Sequence, residues 1–176
     1  MNNFFSHTFF GLIFLIFQGL FLNNVNLFEW LNPFLYIYFI VYYPLKNNRI
    51  IFILISFLYG LIQDFFSDTH AIHSAACLII AYFRPVFLKL YFGMAYEHQV
   101  IKFNSVELNQ NIFYLFTLTF VHHLIIFCLE VFDFGKILLI LKNTFFNSLF
   151  TFFIVYIFYE FLININKFSL EKIYFS

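Results

Sequence analysis

The chain has 176 residues, of which 63% are hydrophobic and only 10% charged, and its nine basic residues balance nine acidic ones. An ordinary soluble domain has about 25% charged residues, so this sequence has too few charges to cover a surface in water. The composition excludes a cytosolic enzyme, a disordered segment and a nucleic-acid binder, which needs a basic surface, and it leaves an integral membrane protein.

Six apolar runs predict membrane-spanning helices, because a helix needs about 20 mostly apolar residues to cross a bilayer. In chain order the runs are 8–22, 33–45, 49–66, 71–93, 112–130 and 137–165. The second run is short, so its helix is expected to begin near Phe28 or to thin the bilayer locally. The runs are continuous rather than alternating, which indicates helices and not a membrane barrel. We predict an all-α polytopic fold, with six transmembrane helices in residues 1–166 and a cytoplasmic tail in residues 167–176.

The basic residues predict the orientation, since short cytoplasmic segments carry an excess of Lys and Arg. With both termini in the cytoplasm, the inner segments hold Lys46, Arg49, Arg84, Lys89, Lys102, Lys167 and Lys172. The outer segments then hold only Lys136 and Lys142. Every outer loop is short, so none can house a soluble catalytic domain.

The third and fourth spans carry the most informative polar residues. Asp64 lies in the outer part of the third span, and an aspartate at that depth is costly enough to indicate a role. Gly60, one turn earlier, allows a neighbouring helix to approach closely. Ser67 and Asp68 continue the polar surface into a loop so short that the two spans must form an antiparallel hairpin. Asp64 and His73 are therefore expected to face one another.

Three interpretations of this cluster stay open. Asp64 could accept hydrogen bonds at the start of the fourth helix, whose dipole favours an anion, and this structural role is the favoured one. The cluster could instead contact a partner protein or a lipid headgroup. Asp64, Asp68, His70 and His73 could also bind a metal or a proton, but their spacing matches no established motif, and no metal or cofactor is expected.

Arg84 and Pro85 follow in the same span. Arg84 is expected to extend toward the inner headgroups as an interfacial anchor. Pro85 is expected to kink or end the regular helix at that point.

The fifth and sixth spans carry a second set of polar residues. His122 and His123 lie midway along the fifth span, where neutral histidines hydrogen-bonded between helices are favoured over a proton relay. Asn143, Asn147 and Thr151 recur every fourth residue and therefore share one face of the sixth helix. Such a stripe usually packs helices together, and a polar cavity that includes His122 is the rival interpretation.

Motifs for catalysis are missing from the sequence. No H-E-x-x-H, G-x-S-x-G, P-loop or paired-carboxylate pattern occurs. Few charges are available for an ion filter or an energised pump. The residues therefore predict a protein that is not an enzyme and whose work is binding.

Three stretches resemble the MreD family of rod shape-determining proteins: GLIQDFFS at 60–67, HSAA at 73–76 and AYFRP at 81–85. NPFLY at 32–36 is also similar to the start of the family's second span. The resemblance is specific over 19–85, and elsewhere it extends only to hydropathy and span number. Gln63, where the family usually has an aliphatic residue, and Asp68-Thr69-His70, in place of a glycine-rich turn, depart from the pattern.

The resemblance implies a non-catalytic component of the cell-wall elongation machinery in a bacterial inner membrane. Such a protein would bind MreC, a single-span protein, and through it be linked to the actin-like MreB and the peptidoglycan synthases. It would help to maintain cell shape among membrane lipids and is compatible with a homo-oligomer, and no nucleic-acid partner is expected.

The resemblance also implies a fold similar to the six-helix substrate-binding subunits of energy-coupling-factor transporters. This similarity supplies the alternative function, a membrane subunit that binds a small molecule or a lipid-linked precursor. Its ligand would occupy an outward-facing cavity near Asp64, His73 and the polar stripe of the sixth span.

Overall fold

A computed structural model describes the backbone of residues 3–24, 31–44, 48–98, 101, 103 and 106–174. Side chains are described for 8–23, 31–44, 48–98, 101, 103, 106–133 and 135–163. Six α-helices follow one another in these ranges: α1 (Asn3–Leu20), α2 (Ile37–Tyr42), α3 (Arg49–Ser67), α4 (Ile72–Glu97), α5 (Leu108–Val131) and α6 (Ile137–Tyr174). The described residues contain no β-strand, which confirms the all-α prediction.

Four of these helices are long and apolar enough to cross a membrane: α3, α4, α5 and residues Ile137–Ile163 of α6. The shortest of them, α3, has 19 residues, which at 1.5 Å per residue gives about 28 Å, close to the thickness of the hydrocarbon core. Thr8–Leu20 of α1 forms a shorter apolar helix. The chain is therefore a polytopic membrane protein.

The prediction of a second membrane-spanning helix at 33–45 is wrong. α2 has only six residues and a length of about 9 Å, and residues 31–34 before it have no regular structure. Every residue of α2 is buried within the protein. Irregular backbone is tolerated at membrane depth only where protein surrounds it, and this segment satisfies that condition.

The segment nevertheless runs the length of α3. At one end, Nε2 of Gln18 donates both to the carbonyl of Pro33 in the segment and to Oδ1 of Asn23. Nδ2 of Asn23 in turn donates to Oγ of Ser67, the last residue of α3. At the other end the ring of Tyr43 packs on Phe52 near the start of α3, with ring centroids 4.4 Å apart. The chain therefore returns from one end of α3 to the other through the protein interior.

The predicted hairpin of the third and fourth spans is confirmed. α3 ends with Asp68 in the left-handed conformation, at φ 53°, and Ala71 at φ 62° precedes α4. The two helices touch at Gly60, where an added Cβ would lie 2.5 Å from Cα of Ser74 and 2.7 Å from the carbonyl oxygen of His73. Only glycine permits this backbone contact, so the sequence signal at Gly60 was correctly interpreted.

The helices present leucine outward and polar side chains inward. On α3, Leu54 and Leu58 are more than half exposed, whereas Ser56, Gln63 and Asp64 are buried. This arrangement reverses that of a soluble helix, because the surrounding lipid is apolar and polar groups must find their partners inside.

α4 does not end or break at Pro85. Its backbone stays helical through Pro85, and the interruption lies later, at Gly93, which has φ 46° and ψ −121°. Only glycine adopts this conformation readily, so Gly93 sets the direction of the last turn of α4. The predicted tail, 167–176, continues α6 as helix as far as Tyr174. Its side chains lie outside the described residues, so a separate tail stays a prediction.

We predict that Gly60→Ala destabilises the protein by about 1–3 kcal/mol, because the new methyl group forces two helix backbones apart. Gly135→Ala is the control, since its Cβ would meet only the exposed side chain of Asp133, 3.1 Å away. Thermal unfolding in detergent measures both variants. Equal melting temperatures for the two would contradict the close approach of α3 and α4.

Candidate functional site

The predicted polar stripe of α6 binds the unwound backbone before α2. The N–H of Asn32 donates to Oδ1 of Asn147 at 2.8 Å, and the N–H of Phe34 donates to Oγ1 of Thr151 at 3.0 Å. Four residues of helix rise about 6.0 Å, and two residues of extended chain rise about 6.6 Å, so the two spacings match. The stripe therefore acts as a ladder of acceptors, but it binds unwound backbone rather than the helix that the packing interpretation expected.

α1 binds the same stretch from another direction through Gln18, which is completely buried. Its Oε1 accepts from the N–H of Leu35 at 2.8 Å, and its Nε2 donates to the carbonyl of Pro33 at 2.8 Å. The amide of Gln18 thus makes the two hydrogen bonds, one accepted and one donated, that the backbone of a neighbouring β-strand would make. The irregular segment is held from both sides by side chains rather than by backbone.

Arg84 holds the other end of the segment, and the prediction that it extends to the lipid headgroups is wrong. Its side chain is buried, and its Nη2 donates to the carbonyls of Val41 at 3.0 Å and Tyr43 at 2.6 Å. Its Nε donates to Oη of Tyr114 at 3.1 Å, and that hydroxyl donates to Val41 at 3.0 Å. Carbonyls at the end of a helix lack intrahelical donors and carry partial negative charge, which attracts the guanidinium.

Asp64 caps α4, as the favoured interpretation expected. Its Oδ1 accepts from the N–H of His73 at 2.8 Å and from Oγ1 of Thr69 at 2.6 Å, and its Oδ2 accepts from the N–H of Ser74 at 2.9 Å. Both carboxylate oxygens are thus occupied by groups at the start of α4, where the helix dipole also favours an anion. Asp68 points out of this cluster and is exposed.

The metal interpretation finds no support in the described residues. None of their His, Cys, Asp and Glu side chains gather in threes at distances that could hold a metal ion. His70 is exposed, and Asp64 is already committed to the cap.

An amide cluster joins the end of α3 to the turn after α1. Ser67 accepts from Nδ2 of Asn23 at 3.0 Å and from Nε2 of Gln63 at 2.9 Å. Oδ1 of Asn23 accepts from both Gln18 and Gln63 at 3.0 Å. Gln63, a departure from the family pattern, therefore has a structural role here.

Tyr36 bridges two histidines in the interior, with Oη 2.8 Å from Nδ1 of His73 and 3.0 Å from Nε2 of His122. Nδ1 of His122 is buried without a partner among the described residues. In the tautomer that avoids an unpaired N–H at Nδ1, His122 carries its proton on Nε2 and donates to Tyr36. Tyr36 then donates to Nδ1 of His73, which leaves His73 with an N–H on Nε2.

His123 belongs to a separate chain of hydrogen bonds. Its Nδ1 lies 2.8 Å from the carbonyl of Thr119 and must donate to it, since a carbonyl only accepts. Its Nε2, 3.1 Å from Oγ1 of Thr151, accepts the hydroxyl proton, and its ring stacks on Phe34 with centroids 5.0 Å apart. His123 thus reinforces the ladder between α6 and the unwound segment.

A cavity of about 750 Å³ opens between the start of α4, the end of α5 and the start of α6. His73, Glu130, Lys136, Asn143 and Asn147 line it together with apolar residues such as Phe34 and Phe127. Asn143 and Asn147 therefore belong to a polar cavity as the rival interpretation expected. His122 and Thr151 are fully buried and lie outside its lining.

Three residues of this framework were not found from the sequence: Gln18, Tyr36 and Tyr114. Gln18 could have been found, since it is the one amide in the first apolar run, at 8–22. Tyr36 lies in the NPFLY stretch at 32–36 that resembles the MreD family, but the resemblance indicates no role for it, and Tyr114 gives no signal among 12 tyrosines and 33 phenylalanines.

Comparisons with protein-family models, with curated proteins and with solved structures each give no match. The resemblance to the MreD family thus depends on the sequence stretches at 32–36, 60–67, 73–76 and 81–85. The similarity to transporter substrate-binding subunits likewise stays a prediction.

We predict that Thr151→Val lowers stability by about 1–3 kcal/mol, because it leaves the buried N–H of Phe34 and Nε2 of His123 unpaired. Thr144→Val is a matched control on the same helix, since Oγ1 of Thr144 is buried and has no partner among the described residues. Removing that hydroxyl should leave stability unchanged or raise it slightly. Unfolding in detergent compares the two, and an equal loss would contradict the ladder.

Proposed function

We propose that this chain is a non-catalytic membrane component of the bacterial cell-wall elongation machinery, similar to MreD. It binds an MreC-like single-span protein and, through that partner, is linked to MreB and the peptidoglycan synthases. It lies in the inner membrane and helps to maintain cell shape.

The proposal is supported by where the resembling residues lie in the fold. In chains rich in phenylalanine and isoleucine, similarity can arise from composition alone. Here it includes Gly60 at the helix contact, Asp64 at the cap, and Tyr36, His73 and Arg84, which contact one another or the interior segment. These positions are the ones that determine the architecture, so the similarity is of the kind that a shared fold produces.

The path of the chain is compatible with both termini in the cytoplasm. Four of the described helices are long enough to span a membrane. The proposal adds one crossing by the shorter apolar helix of α1 and one by the interior segment with α2, which gives six. An even number of crossings returns the chain to its original side. The excess of basic residues that the sequence gives to the inner segments predicts that this side is the cytoplasm.

The partner would bind an outward helix face, whose position depends on the α3–α4 hairpin. Ile50, Leu54, Leu58, Leu61 and Phe65 form an exposed apolar row on α3, opposite the buried face that carries Asp64. Loss of the Asp64 cap would loosen the start of α4 and shift this surface.

We predict that Asp64→Asn reduces recovery of the MreC-like partner severalfold, because an amide nitrogen cannot accept the N–H groups that a carboxylate oxygen accepts. Each unsatisfied buried donor costs about 1–3 kcal/mol. Asp68→Asn is the matched control, since it removes the same charge from an exposed residue and asparagine tolerates the left-handed conformation. Co-purification from membranes measures both, and unchanged recovery with Asp64→Asn would count against this role.

Ligand binding is a second candidate, and the cavity of about 750 Å³ favours it. Small-molecule sites usually measure about 300–1,000 Å³ and combine apolar walls with a few polar groups. His73 offers an N–H on Nε2, and the side chain of Asn143 makes no hydrogen bond to a described residue. In this role the protein would be a substrate-binding subunit for a small molecule or a lipid-linked precursor.

We predict that Asn143→Trp abolishes any retained ligand, since it fills the cavity and removes an amide. Leu141→Trp is the control, because Leu141 is on the same helix, is 44% exposed and does not line the cavity. Native mass spectrometry of protein released in mild detergent detects the ligand. Wild-type protein without a bound molecule would remove the support for this candidate.

A further inference from the structure

Arg84 has donors that the framework does not use. A guanidinium carries five N–H groups. Nε and Nη2 provide the three bonds to Tyr114, Val41 and Tyr43, whereas Nη1 donates to no described residue. Two N–H groups of a side chain that is only 3% exposed are therefore still unpaired.

The charge of Arg84 is also unbalanced. The ion pairs among the described residues are Lys89–Glu97 at 2.9 Å and Lys136–Asp133 at 3.8 Å, and neither includes Arg84. Its partners are neutral carbonyls, a hydroxyl and the ring of Phe52, 5.1 Å from Cζ, and none of these carries a full negative charge. A buried cation without a counter-ion is costly, so the site favours an anion.

A small cavity lies beside this charge, between the segment after α2, the start of α3 and the middle of α4. It measures about 70 Å³, and its lining is Tyr43, Pro44, Arg49, Phe52, Arg84, Pro85, Leu88 and Tyr96. None of the described residues that line it is acidic. It has room for about two water molecules, which suits one compact oxyanion and not a whole headgroup.

Arg49 brings a second guanidinium to the cavity. It is exposed, donates from Nη2 to the carbonyl of Tyr82 at 3.1 Å and lies over the ring of Tyr82. Because Arg49 is the first residue of α3, it sits at the end of a membrane-spanning helix, where lipid headgroups lie.

We propose that Arg84 and Arg49 bind a phosphate oxyanion in this cavity, supplied by the headgroup of an anionic phospholipid. Guanidinium N–H groups make strong charge-assisted hydrogen bonds to phosphate oxygens, and Nη1 of Arg84 offers two N–H groups that no described residue accepts. The anion would neutralise the buried charge that also holds the end of α2, so the lipid would stabilise the interior segment. Free phosphate has the same chemistry and is the other source.

The experiment uses full-length protein in neutral detergent, with thermal unfolding measured as lipid is added. Phosphatidylglycerol should raise the melting temperature, whereas phosphatidylcholine, whose choline offsets its phosphate charge, should not. Inorganic phosphate against chloride at equal ionic strength tests the soluble source. A shift with phosphatidylglycerol alone identifies the lipid, and an equal shift with inorganic phosphate identifies free phosphate.

Arg49→Gln should weaken phosphatidylglycerol binding about tenfold, since it removes one charged donor without touching the bonds to α2. Lys89→Gln, which removes a basic residue of α4 outside the cavity lining, should bind as the wild type does. Arg84→Lys keeps the charge but lacks the two N–H groups of Nη1. The rise in melting temperature that lipid causes in this variant, relative to the same variant without lipid, should also be smaller than in the wild type.

Absence of a shift with either phosphatidylglycerol or inorganic phosphate would overturn the proposal. So would equal binding by Arg49→Gln and wild type, or an equal loss in Lys89→Gln, which would indicate attraction to basic residues in general. None of these readouts depends on an MreC-like partner or on the larger cavity. The result is therefore independent of the proposed function.

Discussion

The structure depends on one constraint: an unwound stretch of backbone packs among helices that are apolar enough to cross a membrane, so its polar groups need partners within the protein. Each unsatisfied backbone group in hydrocarbon costs several kcal/mol, so every exposed N–H and C=O near residues 31–36 requires a partner from elsewhere in the chain. Gln18 of α1 and Asn147 and Thr151 of α6 supply those partners. Arg84 of α4 supplies them at the end of α2. The segment therefore ties α1, α4 and α6 together through hydrogen bonds to its backbone.

This constraint changes how the polar residues should be interpreted. Intramembrane polar groups are usually taken as functional, because burying them is costly. Here Asp64 and Thr151 accept hydrogen bonds from backbone N–H groups, and Nη2 of Arg84 donates to backbone carbonyls. The role of these side chains is therefore structural. Among the residues that line the two cavities, Nε2 of His73, the amide of Asn143 and Nη1 of Arg84 are donors without a described partner. His73 and Asn143 line the cavity of about 750 Å³, and Arg84 lines the cavity of about 70 Å³. These two cavities are therefore the candidate ligand sites.

The sequence allowed the membrane class, the hairpin, the contact at Gly60 and the cap at Asp64 to be predicted. All of these depend on residues close together in the chain or on composition summed over about 20 positions. The second span and Arg84 were predicted wrongly for a related reason. An apolar run has the same hydrophobic composition whether lipid or protein surrounds it. Residues 33–45 were therefore predicted to form a lipid-facing helix. Because that segment lies inside the protein, its carbonyls can accept hydrogen bonds there. The side chain of Arg84 therefore lies inside as well and donates to them.

By itself, the sequence determined that the chain lies in a bilayer as a set of helices, because the transfer of side chains into lipid is nearly additive along a segment. It also located the costly residues. Only the tertiary structure decided what those residues bind, since their partners are remote: Phe34 and Thr151 are 117 positions apart, and Arg84 and Val41 are 43. Hydrogen bonds require distances near 3 Å and defined angles, and transfer free energies summed along the sequence specify neither.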